Sequence, residues 1–182
     1  KKRAKKETRD GVSALREVLK SLNVQTKSLG LKEGLQNGVP DDADMVALIG
    51  PTSPLLDAEV EALLAYAKRG GSLYILLDPG QDANLTPLLD YFKVQAGAGP
   101  LLNDKDFIPA TRTPADFGNI FAVNFSKHEA AATMHAQRGK AGIRFRNAQA
   151  FQKVAEDKDI VQSSLAKSRK DTFEDLNKNF KF

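Results

Sequence analysis

The sequence predicts an α/β fold built on an open, mostly parallel sheet with helices on both faces. Three observations carry that expectation. Two short apolar runs, 45–49 (MVALI) and 73–77 (LYILL), are each bounded by turn residues. Strands buried on both faces of a parallel sheet have this continuous apolar character. Between them Val60, Leu63, Leu64 and Ala67 recur at the spacing of one helical face. The whole span, 44–80, has about the minimum length for a strand, a crossover helix and a parallel strand, and a right-handed crossover is the default.

The crossover helix carries its own boundary signals. Asp57 is placed as its N-cap, and Glu59 and Glu61 add negative charge to the first turn. Lys68 and Arg69 suit the last turn, and Gly70 or Gly71 can adopt the left-handed conformation that ends it. Upstream, residues 1–10 (KKRAKKETRD) form a charge run, read as a solvated segment or a contact for phosphate or anionic membrane. Residues 11–22 predict an amphipathic helix with Val12, Leu15, Val18, Leu19 and Leu22 on one face. Residues 24–29 alternate as a half-buried strand does, and 34–42 form a loop rich in Gly, Pro and Asp.

Downstream, 85–92 predicts a short helix with Pro87 in its first turn. The glycines of 94–100 predict a turn, and the breakers of 101–118 an irregular, lid-like excursion. Strands are expected at 120–125, 143–145, 150–154 and 160–165. A helix is expected at 127–135, and a polar helix start or tail at 171–179. Three segments follow: 1–10 basic, 11–165 an α/β domain, and 166–182 polar, continuing into sequence beyond it. The chain reads as an excised piece of a longer protein.

Composition narrows the function. The 182 residues are 41% hydrophobic, enough for a core. The absence of Cys rules out disulfides, thiolate metal sites and a cysteine nucleophile. A net charge of +4 and a pI near 9.2 are only mildly basic. No apolar stretch approaches the roughly 20 residues of a membrane span.

Candidate chemistry is sparse. Pro51, Thr52, Ser53 and Asp78 follow the two strands, where open parallel sheets bind ligands. They would line a crevice there, or serve only as turn residues. His128 precedes Glu129 at a strand-to-helix junction, as a ligand-binding residue or a cap. His135 lies seven residues on, with no third ligand at matching spacing, so no metal is expected. No phosphate loop, dinucleotide fingerprint or nucleophile elbow occurs, so no cofactor or catalytic set is expected. Residues 138–153 are basic with Phe145 and Phe151 interleaved, which suits either a nucleic-acid surface or, more commonly, a charged edge strand. Nucleic acid is therefore not an expected partner.

The order of these pieces resembles a known family. Val39-Pro40, Asp44, Gly50-Pro51, Glu59, Tyr66, Gly70-Gly71 and Asp78-Pro79 fall where its pattern has them. It is the auxiliary component of the gliding-motility type of ABC transport system, whose extracytoplasmic domain is related to the GIFT domain of intraflagellar transport proteins. Residues 11–31, Leu88-Leu89, Phe92 to Val94, Phe125 with His128, and 143–151 extend the resemblance to about residue 165. Two features depart from it: the chain starts with the basic run, so the family's strand before the first helix is missing or lies just before it, and Glu129 stands where Pro is usual.

The resemblance implies a flavodoxin-like or class I glutamine-amidotransferase-like domain without the catalytic cysteine. It implies a non-enzymatic ligand-binding or interaction domain of a membrane-anchored protein, facing the periplasm or exterior. Its expected partners are ABC permease and ATPase subunits, with anchoring through transmembrane helices outside this segment. Two alternatives stand beside it: a hydrolase-like or sugar-active enzyme using Asp78, Ser53 and His128, and a scaffold domain of a filament or an intraflagellar-transport-like assembly.

Overall fold

The computed structural model describes residues 12–177 and 179–181. The basic run 1–10 and the expected helix start at Gly11 lie outside the described residues. In chain order the elements are α1 (Ser13–Ser21), β1 (Met45–Ile49), α2 (Asp57–Lys68), β2 (Ser72–Leu76), α3 (Thr86–Tyr91) and β3 (Val94–Leu102). Then follow β4 (Asn119–Ala122), β5 (Asn124–Phe125), α4 (Ala132–Ala136), β6 (Ile143–Arg146), β7 (Gln149–Lys153), β8 (Ala166–Lys167) and β9 (Phe173–Glu174).

The strand–helix–strand unit forms as its pattern predicts. β1 and β2 pair in parallel with Ala47 opposite Tyr74. α2 runs between them, and its buried Val60, Leu63, Tyr66 and Ala67 are the inward face of the apolar repeat. Leu56, not Asp57, occupies the N-cap position, and its N–H donates to the Glu59 carboxylate at 3.0 Å. Asp57 instead accepts from Asn84 Nδ2 at 2.9 Å. Gly70, at φ +92°, ends the helix, and the Gly71 N–H donates to the Tyr66 carbonyl at 2.9 Å. Tyr66, Leu63 and Ala67 pack with Leu35, Val39, Leu85 and the fully buried Leu88 of α3. Val46, Leu48, Leu73 and Ile75 close that core from the sheet side.

The expected single open parallel sheet, flavodoxin-like or amidotransferase-like, is not what the described residues form. β1 and β2 are a two-stranded parallel sheet by themselves. The other pairings between named strands are antiparallel: β7-β3-β9, β4-β6 and β5-β8. The expected turn at 94–100 is the main cause of the difference, because this segment is the nine-residue strand β3. Its glycines serve close approach: a Cβ on Gly99 would lie 2.6 Å from the Asp175 carbonyl oxygen.

Other departures have similarly specific reasons. Residues 24–29 belong to no regular element, so the expected strand is absent there. The 101–118 excursion is tied down at its far end by a 3₁₀ turn, Pro114–Gly118, around buried Asp116. The run 120–125 divides into β4 and β5. The expected helix 127–135 is a 3₁₀ turn, Glu129–Ala131, followed by α4. Residues 160–165 are not a strand, and β8 begins just after them. The 171–179 stretch carries β9 where a helix start was expected, so residues beyond 165 belong to two of the sheets.

Candidate functional site

The two loops expected to form a crevice do meet at the carboxyl ends of β1 and β2. The Gly50 N–H donates to the Leu76 carbonyl at 2.9 Å, and Gly50 has φ +52°. The Asp78 carboxylate faces it, with Oδ2 3.4 Å from where a Gly50 Cβ would stand. Pro51 is half-buried, whereas Thr52, Ser53 and Asp78 are exposed. The loops are stitched together farther on, where Leu55 N–H donates to the Ala83 carbonyl and Asn84 Nδ2 donates to the Leu55 carbonyl. Gly50 and Asp78 thus perform evident turn and packing chemistry there.

His128 sits elsewhere in the fold, after β5. Its N–H donates to Ser126 Oγ, and its Nδ1 accepts from the Ala130 N–H at 3.2 Å. An accepting Nδ1 places the neutral ring's proton on Nε2. The ring borders an open hollow of about 570 Å³, lined also by Asn124, Phe125, Ser126, Ser163, Ser164 and Lys167. None of Pro51, Thr52, Ser53 and Asp78 is among those residues. Hydroxyls, an ammonium and an imidazole N–H can bind a hydrogen-bond acceptor. Among the described residues that line the hollow there is no carboxylate. His135 has a holding role: its Nδ1–H donates to the Phe125 carbonyl at 2.8 Å, fastening α4 to β5.

Sequence reasoning did not find Asn124, Ser163, Ser164 or Lys167, because β8 reaches β5 through an antiparallel pairing of Asn124 with Lys167 and Phe125 with Ala166, about 40 positions away. It also missed a surface. Paired residues of β1 and β2 alternate between two faces, one of which packs on α2. The other presents Met45 (55% exposed), Tyr74 (47%) and Leu76 (44%) to solvent, together with Ala47. Parallel sheets ordinarily have both faces covered, so a bare apolar face on one is a strong signal of interaction.

Carboxylates at the entry to β1 pair with cations of this chain, among them Asp41 with Arg69 at 3.5 Å. Asp41, Asp42 and Asp44 are exposed at the entry to β1. Lys27 reaches Asp42 at 2.8 Å, and this hydrogen bond and charge hold the Asp42 carboxyl below its ordinary value and the Lys27 ammonium above its own. Among the described residues no helix is long and apolar enough to cross a membrane. None of their His, Asp and Glu side chains gather in threes as a metal would require.

Comparison with known proteins places this geometry. The family described as the IFT52 GIFT domain matches residues 2–103, the span that contains α1, the β1–α2–β2 unit, α3 and β3. Among solved structures, one described as the mmIFT52 N-terminal domain is similar with a TM-score of 0.55 and 16% identity, over 81% of this chain. This chain spans 66% of the length of that one. No curated protein matches it in sequence.

Proposed function

This chain belongs to the IFT52 GIFT-domain family, and on that premise we propose that it is a non-enzymatic interaction domain that scaffolds a larger assembly. The observation that carries the reading is the bare apolar face of β1 and β2, which lies inside the family-matched span. A sheet face with Met45, Tyr74 and Leu76 in water gains stability when a partner covers it, at about 25 cal/mol per Å² of apolar surface removed from water. Catalysis by Asp78, Ser53 and His128 has no comparable support, since His128 borders a hollow that neither of the others lines.

The transport-linked form of this reading makes the covering partners ABC permease and ATPase subunits, with the domain held at the membrane by segments outside this one. The scaffold form makes them components of a filament or transport train. Affinity purification of the full-length protein from its own cells separates the two by the identity of what is retained. Tyr74→Glu combined with Leu76→Glu is expected to remove the stoichiometric partners, while Val161→Glu, at a 93% exposed position, retains them. Retention of every partner by the sheet variant, with its far-ultraviolet spectrum unchanged, would overturn the reading.

A further inference from the structure

A second unpartnered apolar surface lies on the same chain. α1 buries none of its residues. Its stripe is in solvent, with Leu15 41%, Val18 55% and Leu22 66% exposed. These positions have the spacing of one helical face. Such a short helix is not stable by propensity alone and draws its stability from packing. Among the described residues, then, the helix stripe lies on no sheet and the outer sheet face lies under no helix.

The two surfaces match in size. Nine residues of helix span about 13–14 Å and five residues of strand about 16–17 Å. Arg16 and Lys20 are exposed on α1, with Glu17 between them, while at the entry to β1 Asp44 is exposed and Asp41 and Asp42 pair with Arg69 and Lys27. A helix laid on the sheet can thus bring a basic residue to Asp44, which favours encounter and register. Residues 23–28 between the helix and the rest of the fold are exposed and in no element. The Lys27–Asp42 pair holds the end of this segment beside β1.

We propose that the occupant of the sheet face is α1 of a second copy of this chain. Each copy lays its α1 stripe on the β1–β2 face of the other, giving a two-fold dimer with two identical helix-on-sheet contacts. A two-fold interface requires each subunit to carry both complementary surfaces, and this chain carries both. The exposed linker is the kind of hinge through which such an exchange proceeds. This inference rests on the reading that the sheet face is an interaction surface, and it names the partner.

The test uses two measurements on the full chain. Sedimentation over a concentration series should show a dimer. Val18→Glu and Tyr74→Glu should each weaken it at least tenfold, and Val161→Glu should leave it unchanged. A mixture of Val18→Glu with Tyr74→Glu should form more dimer than either alone, because the mixed pair keeps one contact intact. The second measurement exploits the absence of Cys. A Leu22→Cys copy oxidised with a Leu76→Cys copy should give a covalent dimer, even if the glutamate variants fold poorly. A monomer at every concentration, a dimer indifferent to both variants, or a disulfide formed only within one chain carrying both cysteines would overturn the proposal. Loss of cellular partners from the sheet variant, together with a monomeric wild type, would refute the dimer and leave the interaction reading standing.

Discussion

Asp116 shows how a single buried charge organises a loop that has little apolar content. Burial alone would push its carboxyl up. The opposing effect wins: N–H groups of Thr111, Ala110 and Arg112 and the Thr111 hydroxyl all donate to it, and they hold it down to about 2. Asn119 Nδ2 adds a longer bond at 3.3 Å. Because the folded value lies below the ordinary 3.8, the stabilisation is fully present above that pH and is lost as pH falls toward 2. Asp116→Asn keeps the shape but presents a weaker acceptor and its own donor to these N–H groups. It is expected to lower the melting temperature at neutral pH and to flatten the acid unfolding profile between about pH 4 and pH 2. Parallel profiles for the two proteins in a fluorescence-monitored acid titration would contradict this account of the loop.

Among the elements, β3 is where distant parts of the chain are joined. It pairs with β7 at residues 94–96 and again at Pro100, and its last two residues pair with β9. The Glu174 carboxylate accepts the Gly99 N–H at 2.8 Å, and Asp175 N–H donates to the Pro100 carbonyl at 2.9 Å. Gly99→Ala would drive a methyl into the Asp175 carbonyl, and overpacking of this kind costs about 1–3 kcal/mol. Urea unfolding should report that loss, and a variant as stable as the parent would mean that β9 can move away freely. This join also marks the boundary of what the sequence makes legible. α2 and its flanking strands could be read because a helix's periodicity and caps are local, and the strands' apolar runs are uninterrupted. The glycines of β3 were read as a turn because their reason, a backbone crossing from residues 174 and 175, lies more than 70 positions away. Of the candidate site, the turn at Gly50 and Asp78 was legible from spacing. The surroundings of His128 were not, since Ser163, Ser164 and Lys167 reach it only through the β5–β8 pairing.

At the scale of the whole molecule the decisive quantity is surface. Beside the sheet face and the α1 stripe, further apolar side chains beyond the core around α2 and α3 are exposed: Phe145 and Ile143 of β6, and Phe151 of β7. A fold with two modest cores and small sheets gains stability from what it binds, because anything that binds only the folded state adds to that stability by mass action. The melting temperature of the isolated chain should therefore rise with its own concentration, and the rise should vanish in the Val18→Glu and Tyr74→Glu variants. Differential scanning calorimetry over a hundredfold range of concentration makes the measurement. A melting temperature independent of concentration in the parent chain would mean that these exposed apolar side chains are tolerated in water, and that the two apolar faces add nothing to the stability of the fold by meeting.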